Sequence, residues 1–280
     1  MLTYNIPTSM IRQYFNKTVI IRSEDPEDLL QAASGIDRTN LECLQLIGAV
    51  ADPGPLAWVD KDIPIEIVLK DWQRDADNLY AYSELASQNR MRVCISASPG
   101  FLNALKIALS LNLGTKLEVN QPDDVLAQEL ESALNRYLHD ATVASPVEFF
   151  HSILLAFCHD DTMLSLWTIQ DEDPERNRYV TEDGRVVLSD RLRIEMPDSP
   201  GDFLDDYRHQ LLSEQGECSI CRYFTNCVGY FKFPDRGYSC KAVRNIFQHL
   251  KHASNEIKAF HAETHEPQDH GCSCGEECPE

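Results

Sequence analysis

Short apolar runs of strand length alternate with amphipathic helical stretches through the first 120 residues of the chain. The strand-like runs are 19–22, 41–47, 65–69, 93–96 and 116–119. Between them, apolar residues recur with the spacing of helices that bury one face. Regular β-α alternation predicts parallel strands covered by helices. We therefore expect an α/β fold, either a partial (β/α) barrel or an open parallel sheet.

The rest of the chain mixes both kinds of pattern. Apolar spacing predicts a strand at 164–170 and a hairpin at 178–189 whose turn is Glu182-Asp183-Gly184. Helical spacing predicts four helices, over 122–139, 146–158, 203–212 and 241–260. From His261 onward no apolar residue is large enough to anchor a core, which predicts a flexible tail.

Four cysteines carry the most concentrated chemical motif of the sequence. Cys218, Cys221 and Cys227 have the spacing C-x2-C-x5-C, and Cys240 follows from a second segment. Such thiols could form disulfides, a zinc site or an iron–sulfur site, because thiolates select these centres over calcium or magnesium. The short loops let three sulfurs converge. We expect the four residues to bind one inorganic centre.

The expected compartment supports metal binding over disulfides. No run has the length of a membrane helix, and the first residues lack the basic-then-apolar layout of a signal peptide. We therefore expect a cytoplasmic protein that is not inserted in a membrane. Reducing compartments disfavour disulfides. Cys43, Cys94 and Cys158 lie within apolar runs and are predicted to be buried core thiols.

The formal net charge of −20 limits the kinds of partner. Nucleic-acid binding requires a basic surface, so we expect no nucleic acid. The charge favours a cationic partner such as a basic peptide, whose encounter it would accelerate. The alternative is that the acidity only keeps the protein soluble.

Two further groups of residues are candidates for metal chemistry. The tail combines soft and borderline donors, and its candidate ligands are Cys272, Cys274, Cys278 and His270. The alternative is an acidic end without metal chemistry. Carboxylates at the ends of the predicted strands form the second group, namely Asp25, Asp52, Asp71 and Glu118. Acids also cap helices, which makes this second signal unspecific.

The cysteine motif resembles that of a known family. Cys218, Cys221 and Cys227, within the context YFTNCVGYFKFP, resemble the C-terminal iron–sulfur extension, the SPASM domain, of radical SAM enzymes that modify peptides and proteins. The hairpin with Gly184 also resembles that extension. The β-α repeats before it resemble the partial barrel of radical SAM proteins.

The sequence departs from this family at its catalytic motif. Radical SAM catalysis uses a C-x3-C-x2-C loop after the first barrel strand, and no such motif exists in this chain; the corresponding segment, 23–28, has no cysteine. The family's extension holds two clusters, and Ser189 and Phe231 occupy two ligand positions of one of them. The resemblance therefore implies that a single [4Fe–4S] cluster is kept, with zinc as the alternative.

Together these observations predict three regions and a function. They are a degenerate radical-SAM-like β/α domain at 1–170, a SPASM-like module at 171–260 and the Cys/His-rich tail at 261–280. We expect an iron–sulfur accessory partner of a radical SAM maturase that presents a precursor peptide or relays electrons. The alternatives are a metal-dependent α/β enzyme that uses the strand-end carboxylates and the tail, and a zinc-stapled interaction protein.

Overall fold

A computed structural model of the protein describes residues 1–192, 194–196 and 199–264 of the 280-residue chain. The strands are β1 Thr3–Pro7, β2 Thr18–Ser23, β3 Leu41–Ile47, β4 Ile65–Leu69, β5 Met91–Ser96, β6 Gly114–Glu118, β7 Val147–Glu148, β8 Asn177–Val180 and β9 Val186–Val187. The α-helices are α1 Ile11–Tyr14, α2 Pro26–Gly35, α3 Trp72–Asp75, α4 Ser83–Gln88, α5 Leu102–Ser110, α6 Asp124–His139, α7 Phe150–His159, α8 Leu166–Ile169, α9 Pro200–Ser213, α10 Phe224–Cys227 and α11 Lys241–Thr264.

The described strands form one sheet in the order β7-β6-β5-β4-β3-β2-β1-β8-β9. Neighbours pair in parallel except β8 and β9, which form an antiparallel hairpin. The predicted α/β class with a mostly parallel sheet is confirmed. The predicted hairpin is also present, and it extends the same sheet because β8 pairs with β1. The division into three regions stays a prediction.

The two faces of the sheet differ in polarity because side chains alternate along each strand. The face toward the helices is apolar and buried, and it includes Ile6, Ile21, Leu44, Leu46, Ile67, Ile95 and Leu117. The opposite face carries Asn5, Arg22, Gln45, Glu66, Arg92, Lys116 and Glu118. Parallel sheets are usually apolar on both faces. The polar face here lines a cavity.

Three local predictions need correction. The predicted strand at 164–170 is wrong, since Leu166–Ile169 forms α8. The Ser165 hydroxyl accepts from the Thr168 amide at 3.3 Å and so caps this helix. The segment from 146 begins with the short strand β7 before α7 begins at Phe150, and β1 was not predicted at all.

Aromatic side chains fix the C-terminal segment on the sheet domain. The Trp167 ring is fully buried, and its centroid lies 5.3 Å from those of both Tyr230 and Phe233. Its indole Nε1 donates to the Val228 carbonyl at 3.1 Å. Buried aromatic pairs in such edge-to-face contacts stabilise beyond the area that they bury. The segment that carries the four cysteines is therefore held in one position.

Among the described helices, none combines the length and the apolar character that crossing a membrane requires.

Candidate functional site

The structure brings Cys218, Cys221, Cys227 and Cys240 together around one cavity. Cys218 lies in a short 3-10 helix and Cys221 directly follows it. Cys227 is the last residue of α10, and Cys240 immediately precedes α11. The cavity has a volume of about 20 Å³, which exceeds the roughly 10–15 Å³ that one water molecule needs. All four cysteines therefore line one cavity, and their binding of one inorganic centre stays a prediction.

Tight backbone turns bring the cysteines to the wall of this cavity. The Cys221 amide donates to the Cys218 carbonyl at 3.2 Å, and the Cys227 amide donates to the Tyr223 carbonyl at 2.9 Å. The chain then reverses through Val228 and Gly229, both with positive φ. A β-carbon at Gly229 would lie 2.1 Å from Leu211 Cδ1, so both the backbone conformation and the packing require glycine there.

The remaining wall of the cysteine cavity is largely apolar. It is formed by Tyr223, Phe224, Phe231, Val243 and Phe247. Burial in these surroundings raises the pKa of Cys227 to about 12 and that of Cys240 to about 11, and it also raises the pKa of Cys218. Without a metal these three groups are protonated thiols at neutral pH. Metal binding there must displace protons.

The arrangement of the sulfurs bears on the kind of centre that they fit. None of the seven described cysteines forms a disulfide. In the described part of the chain, no group of three or more His, Cys, Asp or Glu side chains is placed so that it could hold a metal ion. A tetrahedral zinc site with Zn–S bonds of about 2.3 Å needs its sulfurs within about 4 Å of each other. Four cysteines around one cavity are a donor set that suits either a zinc ion or an iron–sulfur cluster, and the absence of a placed group of ligands in the described residues applies to both.

A second, much larger cavity of about 1080 Å³ lies on the polar face of the sheet. It is lined by inward-facing side chains of β1 to β6, by the hairpin and by residues 170–172 and 189–191. Because strands from the middle of the sheet and from the hairpin contribute to one cavity, the sheet curves around it. The expected partial barrel describes this shape.

Arg22 holds the hairpin against the sheet at the rim of the large cavity. Its Nη1 donates to the Asn5 carbonyl at 2.9 Å, and its Nη2 donates to the Val180 carbonyl. Nη2 also lies 3.2 Å from Glu182 Oε1, and the guanidinium stacks 3.9 Å from the Tyr179 ring centroid. Burial lowers the pKa of Arg22, and Tyr179 and Glu182 oppose this effect. The buried cation thus has all its partners within the protein.

A ladder of polar side chains continues from Arg22 across the sheet. Arg22, Gln45, Glu66 and Arg92 are successive register neighbours on β2 to β5. Gln45 Nε2 donates to Glu66 Oε1 at 3.3 Å, and Arg92 Nε donates to Glu66 Oε2 at 2.6 Å. Glu66 is 3% exposed, so this ion pair neutralises a buried carboxylate.

Two further ion pairs connect the sheet to the loops beyond α8. Lys116 Nζ contacts Asp171 Oδ2. Burial is the largest influence on the pKa of Lys116 and lowers it, but Asp171 together with Cys94, Glu66 and Glu118 outweighs burial, so the pKa is raised. Arg191 binds Glu172 through two nitrogen atoms. Bidentate geometry of this kind gives the stronger class of ion pair.

The structure shows what lies at the positions where the resembled family has cluster-binding cysteines and this chain has other residues. The connection from β2 to α2 has only two residues, Glu24 and Asp25, and neither is a cysteine. The Ser189 hydroxyl donates to Glu172 Oε1 at 2.9 Å and so belongs to the ion-pair network. Phe231 is 1% exposed and lies in the wall of the cysteine cavity. Ser189 thus takes part in hydrogen bonding, and Phe231 takes part in packing.

One aromatic wall separates the two cavities. Tyr230 lines the large cavity, and the next residue, Phe231, lines the cysteine cavity. Their ring centroids are 5.4 Å apart in an edge-to-face arrangement. Arg191 Nη2 donates to the Tyr230 hydroxyl at 3.3 Å and ties this wall to the polar network. A centre bound by the cysteines would therefore lie one aromatic layer away from the contents of the large cavity.

The other sequence candidates do not form a site among the described residues. Asp25, Asp52 and Asp71 each accept a backbone amide two residues ahead, from Glu27, Gly54 and Gln73 respectively, so they stabilise turns and helix starts. Glu118 alone of the four strand-end carboxylates faces the large cavity, where it accepts from Ser96 at 2.7 Å. Cys272, Cys274, Cys278 and His270 lie outside the described residues.

Sequence reasoning missed the polar lining of the large cavity. A weak signal is present in the strands, because each of LECLQLI, IEIVL, MRVCIS and GTKLE places at least one large polar residue among apolar ones: Gln45, Glu66, Arg92 and Lys116. A strand in which polar residues alternate with apolar ones has one polar face. Two buried core thiols, Cys43 and Cys94, were predicted correctly, whereas Cys158 is only partly buried.

Comparison with known proteins gives one relevant likeness. No protein-family model matches the sequence, and no curated protein matches it. The fold is similar to a solved structure described as "Native anSMEcpe with bound AdoMet and Cp18Cys peptide", an anaerobic sulfatase-maturating radical SAM enzyme. The TM-score is 0.51 at 12% sequence identity, and the match covers 90% of each chain. The protein therefore has a radical-SAM-like fold.

Proposed function

We propose that the protein binds one [4Fe–4S] cluster through Cys218, Cys221, Cys227 and Cys240 and does not itself cleave AdoMet. The observation that carries this proposal is the contrast between two positions of the fold. Four cysteines surround one cavity near the C-terminal end, while the connection after β2 has two residues and no cysteine. The chain keeps a donor set for one cluster and lacks the cysteine loop of radical SAM catalysis.

The role that fits this composition is that of a partner of a radical SAM enzyme that modifies peptides or proteins. The shared wall of Tyr230 and Phe231 supports a relay, in which the cluster exchanges one electron with the iron–sulfur centre of the partner enzyme. The large cavity supports peptide presentation, because hydrogen-bonding groups and charges of both signs line it. The net charge of −20 favours a peptide or protein face that is basic.

The structure gives less support to one of the two alternatives. The metal-dependent enzyme lacks a gathered carboxylate site in the described residues, since three of its four candidate acids stabilise local turns. The zinc-stapled protein stays the second candidate, because four cysteines suit zinc as well as a cluster, and the described residues hold no group of three or more placed ligands for either centre.

Anaerobic purification followed by metal and activity measurements tests the proposal. We expect about four iron and four sulfide per chain, as one four-cysteine cubane requires, and no cleavage of AdoMet after reduction with dithionite. Stoichiometric zinc without iron would reject the cluster. Cleavage of AdoMet by the purified chain would reject the partner role.

A further inference from the structure

Three charged side chains contribute to the otherwise apolar wall of the cysteine cavity: Glu217, Lys232 and Arg244. Lys232 is 8% exposed, and its Nζ donates to Glu217 Oε2 at 2.8 Å and to the Tyr238 carbonyl. Arg244 Nη2 lies 3.5 Å from Glu217 Oε1. This part of the wall therefore carries two cations and one anion in a chain whose net charge is −20.

A buried lysine needs an explanation because lysine is almost never buried unless it is paired. Glu217 meets only part of this requirement, because it is shared among three donors. Its Oε2 accepts from Lys232 Nζ and also from the Cys240 amide at 3.3 Å, and its Oε1 faces Arg244. The Lys232 charge also reaches the sulfurs. Lys232 and the four cysteines line the same cavity.

We propose that Lys232, opposed by Glu217, raises the reduction potential of the centre that the four cysteines hold. This inference rests on the proposed function, because it requires an iron–sulfur cluster in the cavity. One-electron reduction by dithionite or an electrode adds one negative charge to the cluster and breaks no bond. A nearby cation stabilises that added charge, and a nearby anion destabilises it. Lys232 acts through its charge and is not a ligand.

The test is a redox titration of the full chain, purified anaerobically and followed by electron paramagnetic resonance. Lys232→Met removes the cation and keeps an unbranched side chain, while Glu217→Gln removes the anion and keeps an oxygen for the Cys240 amide. For Lys232→Met we expect about tenfold less reduced protein at a fixed potential, equivalent to a midpoint about 59 mV lower. Glu217→Gln should shift the midpoint in the opposite direction.

Three controls separate a charge effect from a structural one. Lys232→Arg keeps the cation and should restore a midpoint close to that of the native protein. Lys106→Met removes the same charge from an exposed position on α5, outside both cavities, and should leave the midpoint unchanged. Arg244→Met provides an independent variant if Lys232→Met fails to hold iron, and it should also lower the midpoint.

Opposite shifts for Lys232→Met and Glu217→Gln support the inference. Full iron content with midpoints that do not move, or that move in the same direction, would overturn it and leave the proposed function intact. Zinc without iron in the native protein would overturn both.

Discussion

The two cavities of this protein differ in how their buried polar groups are satisfied. In the large cavity, Arg22, Glu66, Lys116 and Glu172 are each no more than 5% exposed, and each is in an ion pair with a side chain of the same network. In the cysteine cavity, burial raises the pKa of three thiols, and no disulfide joins any of the described cysteines. These four charges of the large cavity are paired within the protein, although Asn120 Oδ1 and Arg178 Nε of the same cavity are buried without a hydrogen-bond partner among the described residues, whereas the thiols of the cysteine cavity are joined by no bridge.

In this radical-SAM-like fold the connection after β2 carries no cysteine, and ion pairs line the polar face of the sheet. The Glu66–Arg92 pair links β4 to β5, and Arg22 holds the hairpin, whose strand β8 pairs with β1. Removal of a cluster ligand and removal of an ion-pair partner should therefore have separate consequences.

The largest expected effect is on iron content. Cys227 lies in the cysteine cavity, and its sulfur interacts with the Phe231 backbone amide. Cys227→Ser should reduce iron from about four per chain to a small fraction of that value, because hydroxyl is a poor ligand for such clusters. Cys158→Ser is the matched control, since Cys158 lies in neither cavity, and it should keep its iron. Equal iron content in the two variants would contradict the assignment of the ligands.

The next effect is on stability alone. Glu66→Gln removes the charge that pairs with Arg92 and should cost about 2–3 kcal/mol of unfolding free energy, because Glu66 is buried; the cost stays below that of a fully buried pair because the Arg92 side chain is 42% exposed. Urea denaturation measures this loss, and iron content should stay at the native level. Glu84→Gln, at an exposed position on α4, should change the unfolding free energy by less than about 0.5 kcal/mol. Loss of iron in Glu66→Gln would show that the two cavities are not independent.

A smaller effect distinguishes the two partners of one ion pair. Arg22→Met removes the hydrogen bonds that Arg22 donates to the Asn5 and Val180 carbonyls and should cost about 2 kcal/mol. Glu182 is 74% exposed, so Glu182→Gln should cost less than about 1 kcal/mol. Urea denaturation of the two variants under one set of conditions gives the comparison. Equal costs would mean that the ion pair, and not the backbone contacts, gives Arg22 its role.

The smallest expected effect is a loss of folding stability at alkaline pH that depends on Tyr82. Burial raises the pKa of Tyr82 to about 12, while its hydroxyl accepts from the Val50 amide at 2.9 Å. The unfolded chain has a tyrosine pKa of about 10, so the stability from the neutral phenol is complete below about pH 10 and is lost as the pH rises toward 12. Tyr82→Phe should therefore lose less stability than the native protein between about pH 9 and 11. Parallel losses would exclude Tyr82 as the titrating group.

Much of the sheet could be predicted from the sequence because its strands are short apolar runs with clear ends. The runs 41–47 and 65–69 match β3 and β4 residue for residue. β1 was missed because TYNIP has too few apolar residues to look like a strand, and tertiary pairing with β2 and β8 stabilises it. The strand predicted at 164–170 failed because the Ser165 cap and the buried Trp167 favour a helical turn.

The cysteine cavity and the polar network of the large cavity also differ in how far the sequence predicts them. The four cysteines could be found as a candidate site because their spacing is local, although that spacing left zinc and an iron–sulfur cluster both open. The polar network could not be derived because Glu66, Arg92 and Asp171 become neighbours only after the sheet has formed and curved. Ser189 and Phe231 were identified only as missing ligands, and the structure gives them positive roles in the network and in the wall.

The most direct test of the central claim is the quantity of iron, acid-labile sulfide and zinc in the full chain purified without oxygen. The account predicts about four iron and four sulfide for each chain, with zinc at trace level. One zinc for each chain with neither iron nor sulfide, or a metal-free protein that does not take up iron and sulfide on reconstitution, would contradict it.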